Sequence, residues 1–205
     1  MKTFLLPFLA VATIGFTSCN QTNEVANDPA EATADTAVVY RDGRTVGDVA
    51  EGAADATGDA FDLSRAKLAD ATLPEIKTKG TTVRGDADYQ VYSVDEVVLF
   101  DTDKAAIKPS AANALNEVLG SINQRYSGKD VRVMGFADSR GAASYNLDLA
   151  KERAEAVKNY LTQNGKLAAD KVTTESFGQE QPVATNATPE GRQKNRRVEI
   201  VVRTR

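Results

Sequence analysis

The 205-residue sequence contains no histidine, no tryptophan and one cysteine, Cys19. Without histidine there is no Ser–His or Cys–His nucleophile pair, and the commonest zinc ligand is missing. A single cysteine excludes an internal disulfide and a cysteine metal cluster. Carboxylates, Lys, Arg and Tyr remain to do any chemistry, and neither a metal nor another cofactor is expected. Asp101 and Asp103 form a D-x-D, but an EF-hand loop needs a third ligand at 105 and Gly at 106, where this chain has Ala105 and Ala106. Residues 135–141 follow an apolar run and precede a helical pattern, as phosphate loops do. They lack the G-K-[ST] ending, and Asp138 would repel a phosphate. No nucleotide or nucleic-acid partner is expected.

Long hydrophobic runs are scarce too. The one at the N-terminus, MKTFLLPFLAVATIGFTSC, reads as an export signal: Lys2 supplies the positive region, and residues 4–16 an apolar stretch interrupted by Pro7. It is short for a membrane-spanning helix. The only cysteine falls at the cleavage position, which suggests a lipobox, with cleavage before Cys19 and lipidation of the new N-terminus. Ser18 fits that pattern, whereas Phe16 stands where Leu is usual. Two or more acyl chains there would anchor the protein stably in a membrane. The alternative is an ordinary signal with an incidental cysteine. Residues 1–18 are thus expected to be the signal.

Charge and complexity change near residue 90. Residues 20–90 carry a net charge of −7, residues 91–205 one of +2. Residues 19–87 are rich in Ala, Asp, Thr and Gly and poor in aromatics, which predicts an acidic tether rather than a packed core, with a short helix over residues 62–71. A flexible chain of that length has an r.m.s. span of roughly 45–50 Å. It is too short for an eight-stranded outer-membrane barrel, whose strands alone need about 9–11 residues each.

Residues 88–205 read as the folded domain. Residues 91–100, 131–136, 172–177 and 197–202 are apolar, β-branched runs that predict strands. Pro109 opens an amphipathic helix carrying Leu115, Val118, Leu119 and Ile122. A longer helix carries Leu147, Ala150, Ala154, Val157 and Leu161 on one face and stops at Asn164-Gly165. A polar loop with Pro182, Pro189 and Gly191 precedes the last strand. Strands alternating with helices predict an α/β fold, a two-layer sandwich of a mixed sheet with helices packed on one face.

The stretch VRVMGFADSRGAASYNLDLAKERAEAVKNYL, residues 131–161, places a carboxylate, Asp138, and a guanidinium, Arg153, at the same end of one strand–loop–helix unit. Such a pair suits a zwitterion, the carboxylate meeting an ammonium and the planar guanidinium forking onto a carboxylate. Taken from spacing alone, Arg153 reads first as a surface arginine paired with a nearby Glu, and the basic run GRQKNRRVEI as a solvated face.

Four ordered blocks carry more. VVLFDTDKAAIKP, the apolar helix after it, VMGFADSRGAASYNLDLAKERAEAVKNYL and SFGQEQPVATNATPEGRQKNRRVEI follow one another in order, and through them residues 91–205 closely resemble the OmpA-like peptidoglycan-binding domain. That resemblance implies non-covalent binding of the wall's stem peptide, through the ammonium and carboxylate on the side chain of meso-diaminopimelate. It implies that Asp138 takes the ammonium and that Arg153 clamps the carboxylate. It also places Asn146, Arg196 of the N-R-R-V block, Asp103 and the loop residue Arg140 around the ligand. The family's L-S-x-x-R-A block reads LAKERA here, without the Ser.

The expectation is an outer-membrane lipoprotein, anchored by Cys19, whose periplasmic domain ties membrane to wall without making or breaking a bond. Two rivals remain at this stage: a carboxylate-pair hydrolase acting on the wall, and a surface-displayed adhesin.

Overall fold

A computed structural model describes residues 61, 63, 66–165 and 167–205. The expected signal, Cys19 and most of the expected tether lie outside these residues. The described chain forms a six-stranded sheet in the order β1-β2-β3-β6-β4-β5, made of β1 (Ala69–Ala71), β2 (Thr81–Gly85), β3 (Tyr89–Asp95), β4 (Val131–Phe136), β5 (Val172–Gly178) and β6 (Arg197–Arg203). Only β4 and β5 pair in parallel; the other neighbours are antiparallel. Among the described residues, four α-helices accompany the sheet: α1 (Glu96–Leu99), α2 (Ala112–Arg125), α3 (Ala143–Gly165) and α4 (Pro189–Asn195). The fold is a two-layer α/β sandwich built on a mixed sheet.

Alternation along the strands decides which face is covered by helix. Tyr92 and Val94 of β3, Val131 and Val133 of β4, and Val198, Ile200 and Val202 of β6 share one face. There they bury against Leu115, Val118 and Ile122 of α2 and Ala154, Val157 and Leu161 of α3. The buried positions of α3 recur at helical spacing from Asn146 to Gly165. The opposite face is not bare: Phe61, Leu63 and Leu68 pack on Val91, Met134, Phe136 and Val201. Charges on that face are paired and covered by rings. Arg132 pairs with Glu175 at 3.1 Å and lies 4.5 Å from the Phe61 ring centre. Arg197 pairs with Glu199 at 2.8 Å and lies 3.7 Å from the Phe136 ring centre.

Four sequence expectations need correction. The strand expected over residues 91–100 ends at Asp95, and the VVLF run turns into α1. One helical turn buries Leu99 and Phe100 while leaving Val97 54% exposed, a division that a strand's two-residue period would not make. The folded sheet also begins before residue 88, because β1 and β2 add to the outside of β3 and Leu73 and Ile76 pack against the core. Of the residues 62–71 expected to be helical, 66–68 are irregular and 69–71 form β1, paired with β2. The polar loop before β6 holds α4, capped by Thr188, whose Oγ1 accepts from the Gly191 amide at 3.1 Å, with Pro189 in the first turn.

Candidate functional site

β4 is buried along its whole length, and the chain leaves it through Ala137 and Asp138. Its pairing with β5 shifts register between Gly135 and Phe136, with Phe177 as the extra residue on β5. Gly135 lets α3 lie very close, since a Cβ there would stand 2.0 Å from the Ala150 carbonyl oxygen. Strand end and helix start are thereby clamped together. Between them, the 101–103 turn and Arg196 lies a cavity of about 390 Å³.

All six residues that the sequence singled out for ligand binding line this cavity: Asp103, Asp138, Arg140, Asn146, Arg153 and Arg196. Glu96, Thr102, Tyr145 and Leu149 also contribute to the wall and were not foreseen. Tyr145 is half exposed at the rim. Asp103 is exposed and adopts a left-handed backbone (φ 55°), a conformation that Asp tolerates better than most residues.

Arg153 is 3% exposed, and three groups hold it. Its Nε donates to the Lys104 carbonyl oxygen at 3.0 Å, its Nη2 pairs with Glu96 Oε1, and its guanidinium carbon lies 5.2 Å from the Phe100 ring centre. Glu96 shares its other oxygen with Arg196, whose Nε donates to Oε2 at 2.5 Å. Arg196 in turn donates from Nη1 to Asp138 Oδ2 at 2.6 Å. A continuous line of charge, Arg153–Glu96–Arg196–Asp138, therefore runs along the cavity wall.

Asp138 accepts two further bonds, from the Arg140 amide at 2.8 Å and from Arg140 Nε at 3.3 Å. Burial works against its ionisation. The backbone N–H of Arg140, the Arg196 guanidinium and the charges of both arginines outweigh that and hold its carboxyl below the ordinary range. Asn146 shapes the loop: its side-chain amide donates to the carbonyl oxygens of Asp138 (3.1 Å) and Arg140 (2.8 Å) and to Gln179 Oε1 (3.1 Å). The loop's other flank is tied by Asn186 Oδ1, which accepts from the Ser139 amide at 3.3 Å and from buried Asn195 at 2.8 Å.

This geometry coincides with a known sequence pattern, since residues 99–196 match the profile of the OmpA family. A solved structure agrees over nearly its whole length. The T6SS cell wall anchor from Pseudomonas aeruginosa is 30% identical, with a TM-score of 0.58 over 64% of this chain and 92% of that one. The chain contains an OmpA-like domain.

Among curated proteins, the probable lipoprotein YiaD of Escherichia coli is 33% identical over 142 residues, 69% of this chain and 62% of that protein. The peptidoglycan-binding protein ArfA of Mycobacterium tuberculosis is 39% identical over 105 residues, 51% of this chain and 32% of that protein. The chain thus spans under two thirds of the length of either. OmpA-family domains bind and do not catalyse. Among the described residues, no group of three or more His, Cys, Asp or Glu side chains stands close enough to hold a metal ion.

Proposed function

We propose that this protein is an envelope protein that binds peptidoglycan non-covalently and ties a membrane to the wall. In this reading, the cavity grips the ammonium and carboxylate on the side chain of meso-diaminopimelate in a stem peptide. Asp138 receives the ammonium, and Arg153 the carboxylate. The observation that carries the reading is the placement of a buried, ionised carboxylate and a buried guanidinium on one cavity wall, with the other expected residues around them. The names of two relatives, a cell wall anchor and a peptidoglycan-binding protein, support it.

Each half of the clamp suits its partner. A buried Asp retains its charge here because fixed donors stabilise it, so it offers an ammonium a full negative charge. The fork of Arg153 matches a carboxylate in a way that Lys cannot. A single grip of this kind is modest, but many anchored copies on one polymer hold firmly because release from one site leads to local rebinding. We further infer an outer-membrane lipoprotein: Cys19 carries the lipid, the acidic residues after it form the tether, and the domain faces the periplasm. The match to a probable lipoprotein supports this part.

Co-sedimentation of the full-length protein with purified sacculi tests the reading. Wild type is expected to pellet with the wall, while folded Asp138→Ala and Arg153→Ala variants stay in solution. Losing one partner of such a charge pair costs about 2–5 kcal/mol, or roughly 30-fold to several-thousand-fold in affinity. Failure of the wild type to pellet would refute the wall-binding reading. Replacing Cys19 by Ala and following the mature protein between membrane and soluble envelope fractions tests the anchor, and retention in the membrane would refute lipidation.

A further inference from the structure

We propose that Arg140 changes partners when ligand binds. In the free protein it stands on Asp138 in place of the ligand's ammonium; once displaced, it takes a second, backbone carboxylate of the same peptide. The inference rests on the clamp reading above and makes Arg140 a determinant of which peptides the site prefers.

The three contacts of Asp138 differ in how readily they can be given up. The Arg140 amide is backbone, at 2.8 Å. Arg196 is pinned from behind by Glu96 at 2.5 Å and reaches Asp138 at 2.6 Å. The Arg140 side chain is 66% exposed against 5% for Asp138, and its contact is the longest of the three at 3.3 Å. An exposed ion pair of this kind contributes little, so an incoming ammonium can replace it at small cost. The backbone bond and the grip of Asn146 on the Arg140 carbonyl oxygen do not involve that side chain, so the loop keeps its shape when the side chain leaves.

Charge decides where the released guanidinium goes. Along the wall, Arg140, Arg153 and Arg196 face two carboxylates, the partly buried Glu96 and the buried Asp138; Asp103 stands exposed at the rim. A side-chain zwitterion is neutral and leaves the third guanidinium unmatched. A peptide that also ends in a free carboxylate close to that zwitterion matches it, and Arg140 lines the cavity with an exposed, long side chain able to reach it.

The probe is a fluorescent peptide whose C-terminal residue is diaminopimelate, prepared once as the free acid and once as the α-carboxamide. Binding to the full-length protein in detergent is read by anisotropy for wild type, Arg140→Ala and Arg140→Lys, each checked by circular dichroism. Wild type is expected to prefer the acid by about three- to tenfold. Arg140→Ala is expected to bind both peptides alike, and the amide no more weakly than wild type does, because nothing then has to be displaced. Arg140→Lys, which keeps the charge without the fork, is expected to lie between. Equal wild-type affinity for the two peptides overturns the partner change, as does a preference that survives in Arg140→Ala or an amide that Arg140→Ala binds more weakly. If wild type binds neither peptide, the clamp reading itself fails and takes this inference with it.

Discussion

Arg153 is buried against Glu96, which meets its guanidinium through one carboxylate oxygen and keeps the other for a second arginine. Glu96 also fixes Arg196, and its backbone amide donates to the Arg196 carbonyl oxygen at 3.0 Å. The start of α1 and the entry to β6 are therefore joined by backbone and side chain at once. In the ligand-free protein Glu96 supplies the negative charge that Arg153 needs.

Replacing Glu96 by Ala is expected to destabilise the fold by about 3–5 kcal/mol, because it leaves a buried guanidinium with only a carbonyl and a ring beside it. Glu96→Gln keeps the hydrogen-bonding shape and is expected to cost less. Urea denaturation of the two variants beside wild type checks this. Equal stability of Glu96→Ala and wild type would show that water reaches Arg153 more freely than its burial implies.

A fragment beginning at residue 88 is expected to fold poorly. It lacks β2, which pairs with β3 along five residue pairs, and Val83, Leu73 and Ile76 with their contacts to the core. It also lacks Glu75, which accepts from Ser121 Oγ at 2.9 Å and Arg125 Nε at 2.7 Å on α2. Ser121 is in turn bonded to the Tyr92 hydroxyl at 2.8 Å. The loss is on the order of 3–6 kcal/mol from apolar area alone, and it exposes an unpaired strand edge. Comparing thermal unfolding of residues 61–205 and 88–205 checks this, with similar midpoints counting against it.

Why this part escaped the sequence is a matter of local signal. β1 (ADA) and β2 (TTVRG) turn only one large apolar side chain, Val83, into the core. At the sheet's margin, backbone pairing does most of the work, and composition averaged over a long acidic stretch hides two such short strands. The central strands and both long helices were legible because burial imposes a period on them, as in the α3 positions from Asn146 to Leu161. In the site, Asp138 and Arg153 were legible from their placement within one strand–loop–helix unit and from the resemblance. Glu96 was not, since its partners lie 57 and 100 residues further along the chain. Its own neighbours, VVLF, imitate a continuing strand. The polar helix α4 escaped for a related reason: its buried members are Gly191 and Asn195, which leave no apolar stripe to detect.

Acid is expected to weaken the protein in a defined window. The Arg125 side chain, above all, lowers Glu75 from 4.5 to about 2, with help from Ser121 and against some desolvation. A carboxyl whose folded pKa is depressed stabilises the fold fully above its unfolded pKa and loses that effect as pH falls through the folded value. The Glu75 contribution is therefore present above about pH 4.5 and lost towards pH 2. Asp138, also depressed, acts with the same sign. Urea midpoints for wild type should fall across this window, and those for Glu75→Gln should fall less steeply. Parallel curves would assign the acid sensitivity to other carboxylates.

Gly135 connects the fold to the site most directly, and its substitution should affect both. In Gly135→Ala the new Cβ would stand 2.0 Å from the Ala150 carbonyl oxygen, and backbone on both sides leaves no flexible side chain to yield. α3 must move away from β4, taking Asn146 and Arg153 with it while Asp138 stays at the strand end. The expected cost is about 3 kcal/mol in stability, together with loss of sacculus binding at temperatures where the variant remains folded. Gly120→Ala is the matched control. No neighbouring atom lies within 4 Å of its Cβ position, it sits exposed within α2, and the substitution should stabilise the helix by roughly 0.5–1 kcal/mol with binding unchanged. If Gly135→Ala binds sacculi as wild type does, close approach of α3 to β4 is not what holds the two halves of the clamp in register.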